Sequence, residues 1–188
     1  MICITKHCKK TVEHFIISKD NAINPQECDI GDLRKLFGYF QYKSPNTSSY
    51  QCESLDKQYH EKLFTEMMKS WKNDSYRIIP SNATFDKESP KVALSGSSVC
   101  SYCKRFLLKR NKTKNGNRET DFMCLIRHLR NSLAHGRVFV IHGGNSIKIM
   151  FEDYDTRNKV ITARIICNQS DLRKWRSLIN DYIKRQKM

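Results

Sequence analysis

Arg130-Asn131-Ser132-Leu133-Ala134-His135 sets an arginine and a histidine five positions apart, with an asparagine directly after the arginine. A histidine gives or takes a proton near neutral pH, and a permanently charged arginine grips the non-bridging oxygens of a phosphate as negative charge gathers there. That combination suits cleavage of RNA by its own 2′-hydroxyl, chemistry that calls for no metal and no cofactor. Asn131 can orient the histidine or the phosphate through its amide. At 100° per residue, Arg130 lies about 40° beyond Ile126 and His135 about 140° from Arg130, so one ideal helix does not aim both at one phosphate. They meet if the chain breaks at Gly136, or if two copies of the segment face each other across a twofold axis.

The element that must carry these residues is the best-defined helix of the chain. It opens at Thr120 or Asp121 and runs through Phe122, Leu125, Ile126, Leu129 and Leu133, an i, i+3, i+4, i+7, i+11 stripe. Gly136 supplies the left-handed position that stops it, which puts His135 in the last turn or the cap. The period then switches to two. Residues Val138 to His142, Ser146 to Glu152 and Val160 to Cys167 read as three strands of an antiparallel meander, and Ser170 or Asp171 caps a last helix bearing Leu172, Trp175, Leu178, Ile179 and Tyr182.

Upstream, a helix after Asp29 or Asp32 carries Leu33, Leu36, Phe37 and Phe40 and ends near Lys43-Ser44-Pro45. A second, from about Ser54 to Trp71, spaces Leu55, Tyr59, Leu63, Met67 and Trp71 four apart. Residues 72–98 read as a long connection with two short strands, around Ile78-Ile79 and Val92-Ala93-Leu94. A third helix is expected after Ser97 or Ser98, with Val99, Cys103, Phe106 and Leu107 inward and Lys104, Arg105, Lys109 and Arg110 as a basic margin for phosphate contacts. Lys112 and Lys114, in a polar stretch from Asn111 to Arg118 that reads as an exposed loop, and Arg137 complete the candidate RNA-binding set. The resulting expectation is an α+β chain, predominantly α-helical. Residues 1–188 form a single domain: an N-terminal helical part and long connection (1–95), then a helical core with the meander and C-terminal helix (96–188).

With 34 Lys plus Arg against 19 Asp plus Glu, the formal net charge is +15, which points to polyanionic partners. The start has no signal-peptide pattern and no window holds the roughly 20 apolar residues of a membrane span, so a cytoplasmic protein with no membrane partner is expected. The eight cysteines are scattered and read as reduced thiols. Only Cys100 and Cys103 have zinc spacing, with no second pair to complete a site. The recurrence of His128, His135 and His142 every seven residues lacks a carboxylate to complete a metal set, and His128 is expected to be solvated.

The segment Leu129-Arg130-Asn131-Ser132-Leu133-Ala134-His135-Gly136-Arg137 resembles the signature of the HEPN superfamily: Arg, a polar residue, three variable residues and His. The strands and terminal helix that follow are similar to a plasmid- and phage-associated HEPN branch. The resemblance implies a helical domain that dimerises and joins two R-x4-H motifs into a composite metal-independent ribonuclease site. Arg130 and His135 would then be catalytic and Asn131 supporting, in a toxin or anti-phage effector. An antitoxin or inhibitor protein is a further partner the resemblance admits. Some HEPN toxins carry, two residues after the histidine, a tyrosine that an antitoxin modifies; here Arg137 stands there.

Two other readings stand beside the enzyme. One is a non-catalytic RNA-binding or dimerisation module that keeps the motif for structure. The other is a basic protein in which Arg130 pairs with an acid and His135 caps a helix C-terminus.

Overall fold

The computed structural model describes residues 13–45, 54–112, 118–143, 146–157 and 159–188. The first apolar stripe forms helix α1 (Leu33–Gly38), which runs into a π-helical turn over Tyr39–Lys43 and buries Leu33, Leu36, Phe37 and Phe40 as their spacing predicts. It stops where the Ser44 N–H returns to the Tyr39 carbonyl and the Ser44 hydroxyl to that of Phe40, just before Pro45. Helix α2 (Lys57–Met68) is shorter at both ends than the apolar spacing suggests, because Asp56 is extended and Trp71 lies in a turn that closes on Met68.

The meander is present as strands β5 (Val138–Gly143), β6 (Ser146–Asp155) and β7 (Val160–Asn168), paired antiparallel. The last helix, labelled α5 below, spans Gln169–Gln186 and starts one to two residues earlier than expected. Asn168 and Asp171 cap it reciprocally, each side chain meeting the other's backbone N–H.

Two expectations fail between residues 72 and 110. The predicted third helix is instead β3 (Ser98–Cys100) and β4 (Arg105–Lys109), and the connection before them holds β2 (Tyr76–Ile79), the short helix α3 (Phe85–Glu88) and a 3-10 turn at Ser89–Val92 in place of a second strand. Strand β4 is buried on both faces, so it reads as a continuous apolar run, and a short run of that kind cannot be told from helix by period. The meander is therefore part of a five-stranded sheet ordered β2-β4-β7-β6-β5, in which β2 and β4 run parallel; β1 (His14–Ile16) pairs with β3 in a second, two-stranded sheet. Among the described residues the chain is α+β, with five helices and seven strands, and is not dominated by helix.

The helix that carries the motif is α4 (Asp121–Ala134), capped by the Thr120 hydroxyl, which accepts from the Met123 N–H at 3.3 Å. Its stripe of Phe122, Leu125, Ile126, Leu129 and Leu133 joins α1, α2 and α5 in one apolar cluster on the face of the sheet that carries Phe106, Leu108, Phe151 and Ile165. The alternate residues Leu107, Met150 and Ile166 face a second cluster with Phe15, Phe85, Val92 and Leu94. Each such side chain, fully buried, contributes about 1.5–3 kcal/mol.

His60 latches α2 to the start of α4. One ring nitrogen meets the Thr120 hydroxyl at 2.9 Å and the other the Leu55 carbonyl at 2.9 Å. A carbonyl only accepts, so Nε2 carries the proton and Nδ1 receives the hydroxyl, which orders the cap. Burial holds the His60 pKa below its ordinary value. The unfolded chain thus binds a proton that the folded chain refuses, and stability falls as pH drops below about 6.5. Urea midpoints at pH 7.5 and 5.5 should show this loss, and His60→Gln should reduce it; an undiminished loss in the variant would remove His60 from the account. His128, described below, is shifted the same way and accounts for the remainder.

Candidate functional site

Leu129 and Leu133 anchor the last turns of α4 in the core and leave the neighbouring positions to reach outward. At the helix end the Gly136 N–H returns to Leu133 and the Arg137 N–H to Ser132, at 3.3 and 2.9 Å. This pair of bonds is a Schellman turn, and Gly136 takes its left-handed position with φ +61°. His135 is thereby held as the C-cap, exposed to solvent, its own N–H bonded to the Asn131 carbonyl at 2.9 Å. No atom crowds a Cβ at Gly136, so backbone strain alone sets the effect of Gly136→Ala: about 1–2 kcal/mol, checked by urea unfolding. An unchanged midpoint would show that the turn relaxes without glycine.

Arg130 is half-buried, and its Nη1 donates to the Ser44 carbonyl at 3.0 Å, at the end of the π-helical turn. That contact fixes the arginine against the exit of the first helical segment. Lys43, the residue before Ser44, lies on the rim of an open groove of about 770 Å³ between that segment and α5, lined also by Lys35, Tyr39, Tyr42, Arg176 and Asn180. Cations alternate with aromatic rings there: Arg176 stacks on Tyr39 at 5.8 Å, and half of Tyr42 is exposed. Sequence reading missed this groove, because no local signal brings residues 35–43 beside residues 176–180.

Asn131 turns toward the sheet and not toward His135. Its Nδ2 donates to Asp153 Oδ2 at 3.0 Å, and the same oxygen meets His128 Nδ1 at 2.7 Å. His128 is fully buried, against the expectation of a solvated ring, because β4 and β6 cover that side of α4. Its Nε2 meets the Lys109 carbonyl at 2.8 Å and so carries a proton, leaving one further proton between the buried ring and the buried carboxylate. Burial pulls the His128 pKa down while Asp153 opposes it; burial also acts to raise Asp153, but the hydrogen bond from His128 prevails and holds it below the usual carboxylate value. The strand is irregular at Asp153/Tyr154, the place where the carboxylate reaches α4. The function of this trio is positional: it ties the helix that presents Arg130 and His135 to the central strands.

The proposed phosphate contacts do not share one surface. Arg105 is buried, its guanidinium bonded to the Cys100 and Cys103 carbonyls, because β4 is a strand inside the sheet; it is withdrawn from the set. Lys104 bonds to Asp171 at 2.9 Å, and Arg110 pairs with Asp121 and the Glu119 carbonyl. Lys104 and Lys109 stand at opposite ends of the strand, roughly 16 Å apart at about 3.3 Å per residue. Lys112 is exposed, and Lys114 lies outside the described residues. Arg137 pairs with Glu152 through Nε at 2.9 Å and through Nη2, and lies over the Tyr154 ring at 5.4 Å. The other oxygen of Glu152 receives Arg164 at 2.7 Å, and Arg137, Glu152, Tyr154 and Arg164 line a cavity of about 510 Å³ that opens two residues beyond His135.

The five described cysteines are free, and burial pushes the Cys124 and Cys167 thiols up, which keeps them unreactive. No described helix is long and apolar enough to cross a membrane.

An α+β fold that presents an R-x4-H segment at the solvent-exposed end of a buried helix defines a HEPN-type domain. The family model described as HEPN pEK499 p136 matches residues 52–188, and the chain belongs to that family. Neither the curated proteins nor the solved structures gave a match.

Proposed function

We propose that the chain is a metal-independent endoribonuclease whose site forms where two copies bring Arg130 and His135 together. The observation that carries this reading is the R-x4-H segment itself, set at an exposed C-cap by a Schellman turn in a chain of HEPN type, a class that commonly holds ribonucleases and toxins. The net charge of +15 and the groove of Lys35, Lys43 and Arg176 with its aromatic rings favour a single-stranded polyanion as substrate.

In the reaction, His135 of one copy takes the proton of a 2′-hydroxyl as that oxygen bonds to the adjacent phosphorus. The bond from phosphorus to the 5′-oxygen breaks, and the second histidine gives that oxygen its proton. Arg130 binds the non-bridging oxygens as their charge grows. Asn131, held by Asp153, keeps the helix end in register and does not touch the reacting atoms. The products are a 2′,3′-cyclic phosphate and a 5′-hydroxyl. A toxin or anti-phage effector acting on cytoplasmic RNA, restrained by an inhibitor protein, is the setting this activity suits.

The contact of Arg130 with the Ser44 carbonyl favours one other reading, a non-catalytic RNA-binding or dimerisation module that keeps the arginine for structure. Incubating total RNA with the purified protein in EDTA and mapping the new ends separates the two. Cyclic-phosphate ends support the enzyme; salt-sensitive RNA binding without new ends supports the module.

A further inference from the structure

Arg105 is 4% exposed, yet its guanidinium is matched only by two main-chain carbonyls, at 3.3 Å from Nη1 and 2.6 Å from Nη2. Among the described residues no carboxylate lies within ion-pair distance of it, and its Nε–H has no partner. A guanidinium does not shed its charge, and burying one without a counter-ion is strongly unfavourable. Trp71, also buried, has an indole N–H without a partner. Tryptophan and arginine side chains donate and never accept, so neither can satisfy the other.

Both residues line the same cavity, about 240 Å³ in volume, between the turn after α2 and the strand pair β3 and β4. Val92 and Ala93 form an apolar wall, with Tyr102 and Cys103 beside them. Lys104 stands with its ammonium 5.3 Å above the Trp71 ring, which adds positive charge at that side. Asp74, the acidic residue of the lining, is exposed and makes no ion pair with Arg105.

We propose that this cavity binds a small planar carboxylate, an aromatic or heteroaromatic acid of one ring, independently of the Arg130/His135 site. Its oxygens accept from Arg105 Nε and Trp71 Nε1, supplying the counter-charge the buried guanidinium lacks, and its ring lies against Trp71 and Val92. The volume sits below the roughly 300–1,000 Å³ of sites for larger ligands, which limits the occupant to about one ring. A carboxylate matches two convergent donors and an apolar wall; inorganic phosphate has no surface to set against that wall.

The test is saturation-transfer NMR and thermal unfolding of the full chain with benzoate, nicotinate, benzamide and inorganic phosphate. The two carboxylates should give saturable transfer and raise the melting temperature, with benzamide at least tenfold weaker and phosphate silent. Arg105→Gln should abolish the response. Because that residue is buried, Cys103→Phe, which fills the cavity from a half-buried position, serves as a second variant and should abolish it too. No saturable binding of either carboxylate, an equal response to benzamide, or a response unchanged in Cys103→Phe overturns the proposal.

Discussion

His135→Ala lowers the rate of RNA cleavage by about 10²–10⁴-fold, the usual effect of removing a general acid or base. The side chain is exposed, so the variant keeps its stability within about 0.5 kcal/mol and the loss reports chemistry. Arg130→Ala lowers the rate by about 10²–10³-fold, as removal of a transition-state donor does, and also forfeits the bond to Ser44, a stability loss of about 1 kcal/mol. Arg130→Lys separates the two: it restores a charge but not the planar fork, so stability should recover more than activity. Initial rates per folded molecule, with folding followed by circular dichroism, check all three. A His135→Ala protein that cuts at the parental rate would remove this histidine from the reaction.

Glu152→Ala carries the largest expected effect on stability. Glu152 is fully buried in β6 and receives Arg164 on one oxygen and Arg137 on the other, and its own N–H bonds the Arg137 carbonyl at 3.0 Å. Without the carboxylate, Arg164 keeps only the Leu94 and Gly96 carbonyls, a buried cation with no counter-ion. Breaking such a pair from one side costs about 3–5 kcal/mol. Urea unfolding should show that loss, with Glu152→Gln intermediate because it keeps the shape and one acceptor. A change below about 1 kcal/mol would mean that the two carbonyls suffice for Arg164.

Much of the second half of the molecule was legible because its elements are amphipathic in the ordinary way. The α4 stripe, the stop at Gly136, the three strands of the meander and the terminal helix each expose one face, so period alone identifies them. Strand β4 has no exposed face, and Val99, Cys103, Phe106 and Leu107 fall by chance at helical spacing; the strand reading needs its neighbours β2 and β7, one 26 and one 52 residues or more away in sequence, which no local rule supplies. The same gap hid the burial of Arg105. His128 looked polar-facing because its helix alone leaves that side open, and only the packed sheet places a carbonyl and a carboxylate there. Residue types announced Arg130 and His135, whereas the partners that position them, Ser44 and Asp153, are properties of the tertiary fold.

The central claim is cleavage through the 2′-hydroxyl at the Arg130/His135 site. Its most direct test compares, in EDTA, an oligoribonucleotide spanning a mapped cut with the same strand bearing a single 2′-deoxy residue just 5′ of that cut. The account predicts cleavage of the first to a 2′,3′-cyclic phosphate end and none of the second, with both reactions silent in His135→Ala. Equal cleavage of the two strands, or no cleavage of either by the parental protein, would contradict it.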